Sequence, residues 1–131
     1  MTHLESPFRI DAWEPAESDA LADPDGAGPA TGRAVVRKTY TGELAATSVA
    51  ELLTCQGDDG AAYLAQERVV GELGGRRGSF VLQHGASGGP GADPQQWAFV
   101  VPGSGAGELT GLRGSGMLAH ELITLDYELP G

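Results

Sequence analysis

A chain of 131 residues is one domain's worth, and its 27 Leu, Ile, Val and Phe residues, against 21 Gly and 8 Pro, imply an economical core and many turns. Eighteen acidic residues against 8 basic ones give a formal charge of −10, which repels phosphate backbones and anionic bilayers and sets nucleic acid and membranes aside as partners. No run approaches the roughly 18 apolar residues of a membrane span. No basic-then-apolar leader precedes Glu5 and Asp11, and the lone Cys55 cannot pair within the chain, so the expected compartment is the cytoplasm.

In chain order, alternating runs separated by Gly-containing turns predict strands near 8–14, 33–40, 43–54, 61–73, 76–84, 96–101, 106–113 and 117–129, the last interrupted near His120. No convincing helix interrupts the series. Strands spaced this regularly point to a single all-β domain over 1–131, an antiparallel barrel or sandwich. Residues 15–32 are rich in breakers and read as a long exposed loop, with a helical turn over 17–22; the acids cluster here, since residues 1–25 alone carry a net charge of −6. Residues 85–95 read as a second flexible connection. Gly-Glu-Leu recurs at 42–44, 71–73 and 107–109, which suggests three strand edges built alike, not a repeat unit.

The segment 61–85 is the most informative. Gly74-Gly75 between two alternating runs suits a two-residue hairpin turn, because both positions can take positive φ. Pairing outward from that turn sets Glu72 opposite Arg77, an ion-pair candidate, on a polar face with Arg68, Gln66 and Gln83. The other face carries Val69 opposite Phe80, Glu67 opposite Leu82 and Ala65 opposite His84, with Tyr63 beyond. A slip of one residue would destroy this sorting. In the last strand Ile123, Leu125, Tyr127 and Leu129 share one face and should line the same interior. Trp97, Phe99 and Val101 alternate with Gln96, Ala98 and Val100, so that strand could be covered on both sides, a partner subunit being one cover.

Two stretches, Tyr63-Leu-Ala-Gln-Glu-Arg-Val-Val-Gly-Glu-Leu-Gly-Gly-Arg-Arg-Gly-Ser-Phe-Val-Leu-Gln-His84 and Val101-Pro-Gly-Ser-Gly-Ala-Gly-Glu-Leu-Thr-Gly-Leu-Arg-Gly114, with the ending Leu125-Asp-Tyr-Glu-Leu129, resemble a family of small bacterial proteins of unknown function. That family is similar in fold to allene oxide cyclase and the dirigent proteins. The resemblance covers about Phe8 to Leu129 and implies a closed, eight-stranded antiparallel barrel with an interior pocket. It also implies a homo-oligomer, and work on a reactive small molecule without a cofactor. No substrate-binding residue of those relatives is carried over to this chain.

Glu67 is the sharpest chemical feature. A carboxylate on an apolar face has a raised pKa unless it is paired, which would suit a general acid or base. The competing reading is a structural acid satisfied by Tyr63, His84, backbone or water. His84 could relay a proton with Glu67 or sit half-solvated at the rim. Tyr63, Phe80, Leu82, Leu125 and Tyr127 are the expected lining of a ligand pocket, and small residues at Ala61, Ala65 and Gly71 leave room for one. One Glu and one His fall short of the three protein ligands of catalytic zinc, and His3 and His120 add no ligand spacing, so no metal is expected. Gly103-Ser-Gly-Ala-Gly lacks the Lys-Ser/Thr of a phosphate loop, Ser104 lacks a nucleophile-elbow context, and Cys55 has no neighbouring base. The expectation is a barrel binding a small, largely apolar molecule. It would act as a cofactor-free isomerase or cyclase through Glu67 and His84, or alternatively as a carrier, a sensor or a scaffold without ligand.

Overall fold

The computed structural model describes residues 1–130, which form one antiparallel sheet. Its strands are β1 (Thr2–Ala16), β2 (Ala30–Tyr40), β3 (Leu44–Gly57), β4 (Gly60–Leu73), β5 (Arg76–Gly89), β6 (Ala92–Val100), β7 (Ala106–Gly107), β8 (Arg113–Ala119) and β9 (Leu122–Glu128). Sequential neighbours pair from β1 to β6; β6 then pairs with β8, β8 with β9, and β9 with β1. Eight strands thereby close into a ring. The two-residue β7 lies outside the ring order, paired only with Gly78 and Ser79 of β5. No helix among the described residues is long and apolar enough to cross a membrane.

The β4–β5 hairpin has the expected register, with Glu67 opposite Leu82, Ala65 opposite His84 and Val69 opposite Phe80. Gly74 and Gly75 both have positive φ, 57° and 84°, the geometry whose twist matches the flanking strands. The interruption expected near His120 is the same kind of turn, built from His120 and Glu121 at φ of 56° and 60°. Glu72 and Arg77 face each other but form no ion pair among the described residues; the Arg77 backbone N–H instead donates to Glu108 at 3.0 Å.

Strand alternation divides each segment into an inner and an outer set. Read along β4 from its turn, the inner set runs Leu73, Gly71, Val69, Glu67, Ala65, Tyr63; along β3 it runs Leu44, Ala46, Ser48, Ala50, Leu52. The turn end is packed solid. There Leu44, Leu73, Val69, Phe80, Leu82, Leu109, Leu112, Leu125 and Tyr127 make one buried cluster. Each large side chain so buried contributes about 1.5–3 kcal/mol, and this end holds most of the buried apolar side chains. The three Gly-Glu-Leu leucines, Leu44, Leu73 and Leu109, all meet in it, although only the first two stand on strands. Gly71 leaves no room: a Cβ there would lie 2.4 Å from the Ala45 carbonyl oxygen and 2.7 Å from the Ala46 Cβ.

Other expectations are corrected. The 106–113 run is not a strand but two ladder residues followed by turns, which drop Leu109 and Leu112 into the packed end. Residues 85–95 are not a free connection: β5 and β6 continue through most of them, with a register shift between Ser87 and Gly89. Their Gly and Pro content marks that irregularity, where ladder bonds are missing anyway. Strand β1 starts at Thr2, because residues 2–7 pair with β9. Residues 17–22 hold a single turn, Ala22 N–H to the Asp19 carbonyl at 3.1 Å, and no helix. On β6, Ala98 and Val100 are buried inside, while the stacked Trp97 and Phe99 lie on the outer face.

Candidate functional site

Across the middle of the ring lies a polar layer centred on Glu67, which is fully buried. Alternation on β4 points its side chain inward, and β2, β3 and β5 bring four donors to it. Its Oε1 accepts from Lys38 Nζ at 2.9 Å and from His84 Nε2 at 2.8 Å. Its Oε2 accepts from the Tyr40 hydroxyl at 2.5 Å and from the Ser48 hydroxyl at 2.6 Å. A carboxylate offers about four acceptor sites, and here all of them are taken.

The expectation of a raised pKa is therefore not met. Burial pushes the Glu67 carboxyl up, but the His84 hydrogen bond, the Lys38 charge and the Ser48 and Tyr40 hydroxyls together hold it at about 2, below its ordinary 4.5. The competing reading, a satisfied structural acid, fits the geometry, with Lys38, Tyr40 and Ser48 joining His84 as partners. Because the folded value is lowered, the stabilisation from this group is complete above about 4.5 and is lost as pH falls toward about 2. A shift of this size corresponds to roughly 3 kcal/mol. Acid unfolding followed by circular dichroism should show the loss in that window, and Glu67→Gln should lack it.

The tautomer of His84 follows from the charge on Glu67. An ionised carboxylate only accepts, so Nε2 carries a proton; in a neutral imidazole Nδ1 then accepts, and the Tyr63 hydroxyl, 3.0 Å away, donates to it. Burial, followed by the nearby Glu67 charge, raises the phenol pKa of both Tyr63 and Tyr40, so both keep their protons at neutral pH. The result is an ordered chain from Tyr63 through His84 to Glu67.

Beyond this layer, away from the packed end, the ring holds a cavity of about 310 Å³. Phe8, Trp13, Val36, Leu52, Leu118 and Ala119 give it an apolar wall, Lys38, Tyr63 and His84 face it with polar groups, and His120 and Glu121 of the β8–β9 turn lie at its edge. Lys38 Nζ sits 4.7 Å from the centre of the Phe8 ring. One of its N–H groups is committed to Glu67; as an ammonium it has three.

The predicted site residues thus part company. His84 and Tyr63 reach the cavity, and Glu67 stands behind them with no lone pair turned toward a ligand. Phe80, Leu82, Leu125 and Tyr127 belong to the packed cluster on the far side of the layer and do not line the cavity, because that end is filled by Leu109, Leu112 and their neighbours. Ala65 is buried against Val36, Ala50 and Leu52, whereas Ala61 is exposed. Lys38, Tyr40 and Ser48 are partners of Glu67 that sequence patterning did not single out. A compositional signal existed for one of them: Lys38 is the chain's single lysine, the other seven cations being arginine. Among the described residues no group of three or more His, Cys, Asp or Glu comes together to hold a metal ion.

A family profile described as a protein of unknown function, DUF3224, matches residues 4–129. The chain belongs to this family. A DUF3224 protein of unknown function from Shewanella oneidensis MR-1, known from its crystal structure, is 34% identical and superposes with a TM-score of 0.85 over 100% of this chain and 98% of that one. No curated protein matches this DUF3224 chain.

Proposed function

We propose that the protein binds a small, largely apolar molecule through one neutral carbonyl oxygen, in the cavity of an allene-oxide-cyclase-like barrel. The observation that carries this reading is a buried lysine, 6% exposed, at the floor of a cavity with a largely apolar wall. Its charge is already matched by Glu67, so a neutral acceptor completes its hydrogen bonding, whereas a carboxylate would leave one uncompensated negative charge in the interior. The −10 surface disfavours anions in the same sense. The volume lies at the small end of the range for ligand sites.

The test uses Trp97→Phe, which leaves Trp13 at the cavity wall as the one fluorescent indole. Methyl octyl ketone should saturate the Trp13 signal and raise the melting temperature, with decanoate weaker by about tenfold or more, equivalent to 1.4 kcal/mol. Absence of any saturable response, or a preference for decanoate, overturns the reading and favours a scaffold without ligand.

A second reading, a cofactor-free isomerase, is favoured by the Tyr63–His84–Glu67 chain. A proton taken from the carbon beside the carbonyl would pass to Tyr63 as the Tyr63 proton moves to His84 Nδ1. Glu67 would then hold the imidazolium and Lys38 the enolate oxygen. Deuterium uptake beside the carbonyl in heavy water, lost in Tyr63→Phe, distinguishes this from simple carriage.

A further inference from the structure

We propose that Lys38 is a covalent attachment site for an aldehyde, condensing with it to a protonated imine whose counter-ion is Glu67. The proposal rests on the carbonyl-binding reading above and goes further by naming the bond. Among the described residues every arginine is exposed except Arg76, which is half-buried, and the only cation placed wholly inside the ring is the chain's single lysine. An arginine would serve as well for a buried ion pair and would hold two carboxylate oxygens at once. What lysine adds is a primary amine able to form a Schiff base.

The surroundings suit that product. One proton must leave the ammonium before its nitrogen lone pair can add to the aldehyde carbon, and a second leaves after the addition; both depart with the carbonyl oxygen as water, a C=N bond replaces C=O, and the product nitrogen again carries one positive charge. Reactant and product thus carry the same charge opposite Glu67, which lies 2.9 Å from Nζ, and the completed reaction leaves no unpaired charge in the interior. His84 shares the same Glu67 oxygen with Lys38, and the Tyr63 hydroxyl behind it supplies a proton path to the departing oxygen at the cavity wall. Phe8, Val36 and Leu52 offer the alkyl chain an apolar wall.

The chain makes the test clean, because its only amines are Lys38 and the N-terminus. The intact protein is incubated with decanal near neutral pH and reduced with borohydride, and the adduct is located by peptide mapping. The expected result is one adduct, heavier by the aldehyde less one oxygen atom, on Lys38 and suppressed by methyl octyl ketone. The aldehyde reaches the α-amine without obstruction, since Met1 is 86% exposed, whereas Lys38 is 6% exposed. Labelling of Lys38 in preference to it requires the cavity. Adduct on the terminus alone, adduct on Lys38 indifferent to the ketone, or no adduct overturns the proposal. If methyl octyl ketone still saturates the Trp13 signal, the binding reading survives that failure; if it does not, both fall. Mapping on the unaltered chain makes the result independent of whether a Lys38→Gln variant folds.

Discussion

Glu67→Gln should lower the melting temperature at neutral pH by on the order of 10 °C, from a loss of about 3 kcal/mol in a domain of this size. The substitution keeps the volume and removes the charge. Lys38 is then a buried cation without a counter-charge. The amide NH2 also cannot accept from the Tyr40 and Ser48 hydroxyls that now donate to Oε2. Scanning calorimetry reads the change directly. A rise in melting temperature would mean that the carboxylate is held at a cost to stability, contrary to the four-donor geometry.

Lys38→Met should cost about 2–4 kcal/mol, because it strands the other half of the same pair. Glu67 keeps His84, Tyr40 and Ser48 but loses the Lys38 charge that helps hold its pKa at about 2. Its folded pKa therefore moves up toward the ordinary 4.5, and acid destabilisation begins at higher pH. The double variant Lys38→Met/Glu67→Gln should be less destabilised than the two losses summed, by about 1–3 kcal/mol, since the pair is removed together. Urea unfolding of all four proteins closes this cycle. Additive losses would show that the contact at 2.9 Å contributes nothing to stability.

Much of this site was legible in local pattern. Two glycines set the β4–β5 turn, the turn sets the register, and the register places Glu67 and His84 on one inner face. The inward set Ile123, Leu125, Tyr127 follows from period two in the same way. Lys38 was hidden because both faces of β2 carry a cation: Ala34, Val36, Lys38 and Tyr40 alternate with Arg33, Val35, Arg37 and Thr39, and alternation alone does not choose between them. Ser48 was the one buried polar member of the inward set on β3, a weaker mark than a charge. The division of the interior into a packed end and an open end was not legible at all. It depends on where the turns at 108–112 drop Leu109 and Leu112, and those residues look like another alternating run.

The position of Glu67 behind His84 and Lys38 changes its role. It accepts from His84 and pairs with Lys38, and the groups that face the cavity are Lys38, Tyr63 and His84. The Lys38 ammonium is thus the point where the proposed carbonyl would report itself. With one lysine in the chain, isotope-labelled lysine gives one ε-nitrogen resonance. Titration with methyl octyl ketone should move that resonance to a saturating endpoint at the same concentrations that saturate the Trp13 fluorescence. A Lys38 resonance that stays in place throughout the titration would contradict a carbonyl-binding site at this layer.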